Sequence, residues 1–413
     1  MRLVDRAITT SPARPGALRV TVTFWQERAG STKDVWFDVP EDCSDGISRS
    51  GNPWLTLLLP LALAARERLS LSDPVDPLLV ENLQGVMDVW QTWHPDLEPV
   101  EIAAPLSPSR TPGGDRRAVF FSGGVDSFFS LLRHDQAAEG CGSGPVDDLL
   151  FIAGWDIPVD SDAELDATER HLCAVAARHG KRLLRIDTNL KQLDTIYRNR
   201  WILTHGFALA TAAHLLEHQF CEVIIGSTHS YKRLLPIGSH PLTDPLLGSR
   251  RLRLVHDGAS FNRIGKLQRI AASQADLDAL RVCWEARRHD NCSRCAKCVI
   301  TMAALDALGL AGRTACFDWT RYSVDGVAGL IIESDSQMQQ SKDVVVAARE
   351  RGRLDLADAM QQALDRYNRV GRAVSLTRRL PFLWRFDYQV GEMLRRRGRP
   401  AQGLARLTGG RSG

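Results

Sequence analysis

RAVFFSGGVDS, residues 117–127, runs from a short apolar stretch through a glycine pair into a segment that reads as a helix. The apolar run RAVFF (117–121) has the length and bounded character of a buried strand, and a helix is expected from about Val125 to His134. Between them Gly123 and Gly124 lack a Cβ, so the backbone bends sharply and approaches a ligand closely. The N–H groups that open the helix then point at whatever sits there. Ser122 and Ser127 add hydroxyl donors, and the Asp126 carboxylate is placed to bind Mg²⁺ or to orient the loop. The chemistry is that of an anion cradle, and the expected ligand is a polyphosphate with a divalent metal.

Outward from this junction the pattern alternates. LLFIAG (149–154), RLLRID (182–187), EVIIGS (222–227) and RLRLVHD (251–257) read as strands. Helices are expected over 162–179, 199–218 and 262–273. Such alternation predicts a doubly wound, Rossmann-like parallel α/β sheet with ligands beyond the carboxyl ends of its strands. Upstream, LRVTVTFW and DVWFDV flank the turn-prone ERAGSTK and predict a hairpin or small sheet. Helical periodicity near 54–69 and 78–93 completes an α+β N-terminal unit. AAPLSPSRTPGGD (103–115) reads as a linker. The expected units are therefore 1–112, a nucleotide-binding core over 115–312, and a helical, basic extension over 313–413.

FSGGVDS, after a strand and opening a helix, resembles the SGGxDS signature of PP-loop ATP pyrophosphatases. It is not a Walker loop, since the lysine and the GxxxxGK spacing are missing. The resemblance implies that Ser122, Gly123, Gly124, Val125, Asp126 and Ser127 hold the pyrophosphate portion of ATP. It also implies that Ala153 and Gly154 face the adenosine and that Gly226 and Ser227 close the fourth strand near the phosphates. By the same resemblance Lys266 would contribute a cation and share the catalytic role with Asp126, the other reading being a surface lysine on an amphipathic helix; Arg263, its neighbour in NRIGKLQRI, has the same two readings.

Cys283, Cys292, Cys295 and Cys298 form C-x8-C-x2-C-x2-C within the segment 281–300. Four thiolates in so short a span suit a closed tetrahedral site, with structural Zn²⁺ preferred over an iron–sulfur cluster. Following a PP-loop core, this spacing resembles 7-cyano-7-deazaguanine synthases over roughly residues 115–312. The flanking hundred residues on each side, and the loop GSTHSYKRLLPIGSHPLTDPLLGS (226–249), depart from that enzyme and point to a relative with another substrate. The implied reaction cleaves ATP to AMP and pyrophosphate. The adenylate activates a carboxylate or carbonyl-type group, on a small molecule or a protein or peptide, for attack by a nitrogen nucleophile such as ammonia. Two alternatives stand beside it: a PP-loop sulfurtransferase acting on RNA or a small molecule, and a non-catalytic adenine-nucleotide sensor.

Composition sets outer bounds. With 44% hydrophobic and 24% charged residues, the 413-residue chain has the make-up of a globular protein rather than a disordered or collagenous one. A net charge of +3 is too small to imply a nucleic-acid partner for the whole chain. Arginine nonetheless gathers from Arg369 onward, at 372, 378, 379, 385, 395–397, 399, 406 and 411, which suits RNA, a membrane surface or an acidic partner as well as a solvated helix face. The N-terminus lacks the apolar core of a signal peptide. LTLLLPLALAA (55–65) is too short to span a bilayer and is expected as a buried helix containing Pro60. Cytoplasmic residence with reduced or metal-bound thiols follows as the expectation. Cys43, Cys141, Cys173, Cys221 and Cys316 read as buried apolar residues. His214-Leu-Leu-Glu217-His218 fits the HxxEH pattern of zinc peptidases, but on a crossover helix it is expected to be a polar helix face. Oligomerisation is left open.

Overall fold

A computed structural model of the chain describes residues 1–107, 114–135, 144–193, 195–283, 285 and 289–378. Residues 108–113 of the expected linker, Cys141 and the arginines from Arg379 onward lie outside the described residues. The strands are β1 (Arg2–Thr10), β2 (Ala17–Gln26), β3 (Ser31–Pro40), β4 (Leu69–Ser70), β5 (Ile102–Ala103), β6 (Arg116–Phe120), β7 (Asp148–Ala153), β8 (Arg182–Thr188), β9 (Phe220–Gly226) and β10 (Arg253–Asp257). The first seven helices are α1 (Asn52–Ala65), α2 (Pro77–Trp93), α3 (Val125–Asp135), α4 (Asp162–Arg178), α5 (Ile196–Asn199), α6 (Trp201–Leu215) and α7 (Arg263–Ile270). The last five are α8 (Gln274–Asp278), α9 (Ala296–Ala307), α10 (Val324–Ala328), α11 (Asp335–Glu350) and α12 (Leu354–Arg378).

All ten strands join one sheet in the order β10-β9-β6-β7-β8-β3-β2-β1-β4-β5. From β10 to β8 every pairing is parallel. In chain order that half reads fifth, fourth, first, second, third, so the direction of winding reverses between β6 and β9. In an open sheet this reversal opens a crevice beyond the strand ends. Strand residues alternate between two cores. Ala118, Phe120, Leu150, Ile152, Val223 and Ile225 face one, with α1, α2 and α6. Val119, Phe121, Leu149, Phe151 and Ile224 face the other, with α3, α4, α9, α11 and α12. Burial on both faces explains why these strands read as continuous apolar runs.

The N-terminal hairpin is present as expected, with β2 and β3 antiparallel over their full lengths, but its pairing crosses the expected boundary near 115. β3 pairs with β8 through Phe37 with Thr188 and Asp38 with Asp187, extending the parallel half of the sheet. α1 is the buried helix expected around Pro60, which has no N–H to donate to the Thr56 carbonyl. The Tyr197 hydroxyl points there, 2.9 Å from the Leu57 carbonyl and 3.5 Å from that of Thr56.

The helix expected over 199–218 ends at Leu215, so Glu217 and His218 lie beyond it. His214 and Glu217 are fully buried rather than on a polar helix face. Glu217 accepts from Ser48 (2.7 Å), Ser50 (2.6 Å) and Asn52 (2.9 Å), and lies 3.2 Å from His214 Nδ1. The HxxEH string thus ties the N-terminal elements to the core. These bonds outweigh the cost of burial and hold the Glu217 carboxyl down at about 2. Of the remaining cysteines Cys43 is buried, while Cys173 is exposed on the outer face of α4 and Cys221 and Cys316 are half-buried.

Candidate functional site

The glycine-rich loop leaves β6 at the sheet's reversal point. Phe121 N–H donates to Leu150 O at 2.8 Å, a last sheet-like bond before the chain turns. Gly123 adopts φ +76°, and a Cβ there would meet Leu172 at 3.1 Å. Glycine therefore meets both a backbone and a packing requirement. Ser127 Oγ donates to Gly124 O at 3.0 Å and fixes the first turn of α3. Ser122 is exposed, and Asp126 is half-buried at the loop's inner side.

Opposite the loop, β9 ends at Gly226, where an added Cβ would lie 2.8 Å from Asp126 O. That close approach brings the start of α3 against the end of β9. Ser227, next in sequence, is buried; its N–H donates to Asp257 O (2.7 Å) and its carbonyl accepts from Lys266 Nζ. Lys266, almost wholly buried on α7, also donates to Asp126 Oδ1 at 2.8 Å. Arg263, one turn earlier, places its NH1 3.9 Å from Asp126 Oδ2 and donates from NH2 to Thr301 at 3.2 Å. Burial opposes charge on Asp126, but Lys266 and Arg263 outweigh it and hold the carboxyl below its ordinary range. Arg263 is itself buried, which lowers its pKa against the pull of Asp126, and among the described residues its Nε has no hydrogen-bond partner.

Asp126, Gly226 and Arg263 line a cleft of about 310 Å³, and Lys266 lies behind that lining, bonded to Asp126. Its floor is the loop residues Ser122, Gly124, Val125, Asp126 and Ser127 with Gly226 and Thr228. Ala153, Gly154, Gly123 and Ser227 lie behind that lining. Ala153 is buried in the core, and Gly154 turns at φ +97° with its Cα hydrogens against Thr188 O. The residues of that turn that reach the cleft are Trp155 and Asp156. Trp155 meets Trp201 with ring centroids 5.2 Å apart, and Lys191 donates to Trp155 O at 2.7 Å. His205, one turn after Trp201, donates from Nδ1 to Ile202 O (2.9 Å), and burial lowers its pKa. Sequence reasoning missed this aromatic wall because isolated Trp and His on an apolar helix carry no pattern.

The cysteine segment forms another wall. Cys283 and Cys295 sulfurs are 3.9 Å apart, as are those of Cys292 and Cys298, and all four lie within 4.8 Å of one another. A tetrahedral site with metal–sulfur bonds of about 2.3 Å has edges of about 3.8 Å, so the cluster is already shaped to hold a soft metal such as zinc. Asn291 supports it: Oδ1 accepts from the N–H of Val282 (2.8 Å) and Cys283 (3.2 Å), and Nδ2 donates to Leu280 O and Cys316 O. Arg281 and Lys297 flank the cysteines and line the cleft. Arg281 N–H donates to Gly123 O at 2.7 Å, a direct link from the thiol segment to the glycine loop. Burial pushes Lys297 down to about 8, with Asp156 working against it. Both cations sit inside a spacing that had been read only for its thiols.

The last wall comes from α11, whose Ser336, Gln337 and Gln340 face the loop. Among the described residues no helix is long and apolar enough to cross a membrane. Comparison of the chain with protein-family models, with curated proteins and with solved structures finds no match.

Proposed function

We propose that the chain is a PP-loop-type ATP pyrophosphatase that adenylates an acceptor and releases pyrophosphate. The observation that carries this reading is the convergence of Lys266 and Arg263 on Asp126 beside a glycine loop at the sheet's reversal point. The donors fit a polyphosphate. A buried guanidinium with an unpartnered Nε, an exposed Ser122 and the open first turn of α3 are groups that an anion would satisfy. Asp126 would hold Mg²⁺, whose charge offsets that of the phosphates.

In this reading an acceptor oxygen attacks the α-phosphorus, the bond to the β-phosphate oxygen breaks, and pyrophosphate leaves into the loop. Lys266 and Arg263 stabilise the charge that develops on the leaving group, and the loop N–H groups orient it. A nitrogen nucleophile then displaces AMP. The four-thiol site would be structural: with every position taken by sulfur it offers no open coordination site, and it positions Arg281 and Lys297. Sulfur transfer would need a thiol at the loop, and among the described residues lining the cleft there is no cysteine.

The test is AMP and pyrophosphate formation from Mg·ATP with ammonium and a panel of carboxylates, for the wild type and Asp126→Ala, with zinc analysis of the same sample. AMP formed by the wild type alone supports the reading. ADP in place of AMP would sink it.

A further inference from the structure

We infer that α11 forms the acceptor side of the cleft and that Gln340 contacts an uncharged amide-type group on the second substrate. The inference deepens the proposed function and rests on it for the position of the nucleotide.

The charged lining of the cleft is Asp126, Asp156, Arg263, Arg281 and Lys297, which suits phosphates with a divalent cation, whereas its α11 wall contributes Ser336, Gln337 and Gln340, all neutral. A carboxamide, with donor and acceptor on adjacent atoms, is the complement of a glutamine amide.

Gln340 is 7% exposed, and among the described residues its amide meets no hydrogen-bond partner. Gln340 lines the cleft, where its amide can exchange hydrogen bonds with a ligand. Its helix is held firmly enough for recognition. Ser336 Oγ lies 2.9 Å from His229 Nε2, Arg233 donates to Gln339 O at 3.0 Å and pairs with Asp343 at 3.0 Å, and Gln337 Oε1 accepts from Glu333 N–H at 2.8 Å. Trp201, Ile202 and Ile237 supply apolar surface on which the body of such a molecule rests.

Benzamide is the probe, followed by saturation-transfer NMR on the full chain with Mg²⁺ and pyrophosphate present. Binding to the wild type is expected, with about a tenfold loss of affinity in Gln340→Leu, the size of one lost hydrogen bond to a buried amide. Pyrophosphate affinity in that variant should stay within about twofold of wild type. Gln340→Asn keeps the amide on a shorter arm, and should fall between the two and retain the fold if the leucine variant does not. The inference is overturned if benzamide does not bind the wild type, if it binds Gln340→Leu equally well, if pyrophosphate affinity falls with it, or if a short single-stranded RNA displaces it. A wild type that takes benzamide but not pyrophosphate refutes the proposed function instead.

Discussion

Lys266 and Asp126 lie 140 residues apart in sequence and meet at 2.8 Å, bridging α7 and α3 across the point where the sheet reverses. The pair neutralises a buried lysine and keeps its ammonium beside the glycine loop. Removing the ammonium leaves Asp126 with Arg263, whose NH1 lies 3.9 Å from Oδ2. In Lys266→Met, pyrophosphate affinity is therefore expected to fall about 10- to 100-fold, the worth of one hydrogen bond to a charged group. Calorimetric titration of pyrophosphate measures it, and an unchanged affinity would remove Lys266 from the binding set.

Metal loss should reach the loop. Arg281 N–H, two residues before Cys283, donates to Gly123 O, so loosening the thiol segment frees the loop carbonyl. About one zinc per chain is expected from a closed four-thiol site. Cys292→Ser should lose it, melt at a lower temperature and bind pyrophosphate more weakly. Metal content, thermal melting and the same titration separate these effects, and full pyrophosphate affinity without metal would show the two sites to be uncoupled.

Gly154→Ala tests a backbone requirement. The residue sits at φ +97°, and a Cβ would fall 2.1 Å from Thr188 O, an impossible contact with backbone rather than a movable side chain. A loss of roughly 3 kcal/mol or more is expected. Urea unfolding reads it directly; a loss below about 1 kcal/mol would mean that β7 and β8 separate easily there.

Glu217 predicts a pH profile. Its carboxyl is held at about 2, below the ordinary 4.5, so its ionisation stabilises the folded state. The contribution, about 3 kcal/mol by linkage, is complete above the unfolded value and drains away as pH falls from 4.5 toward 2. Glu217→Gln should be less stable than wild type at pH 7 and approach it near pH 3, as His214 and the three donors lose their charged partner in both proteins. Urea midpoints at pH 7, 5 and 3 check the sign.

The parallel half of the sheet was legible because its strands are buried on both faces and appear as unbroken apolar runs between loops. The turn from β6 into α3 was legible because a glycine pair between an apolar run and a helix start marks a sharp bend. The thiol cluster was legible from spacing alone. β1 was not read, since RLVDRAITT is largely exposed and carries no apolar periodicity. Glu217 looked like a surface residue because a buried carboxylate betrays itself only through partners, here Ser48, Ser50 and Asn52, that are distant in sequence. Gln340 is the same case at the cleft: a glutamine on a polar helix has no signal until the fold turns it inward.

The pairing of β3 with β8 has a practical meaning for anyone trimming the chain. A fragment starting near residue 115 would retain the loop, the cations and the thiols, yet would carry β8 as a bare flank whose Thr188 and Asp187 have lost Phe37 and Asp38. Such a flank recruits other chains. The N-terminal hairpin thus acts as a sealing edge for the parallel half, and the smallest well-behaved unit includes it.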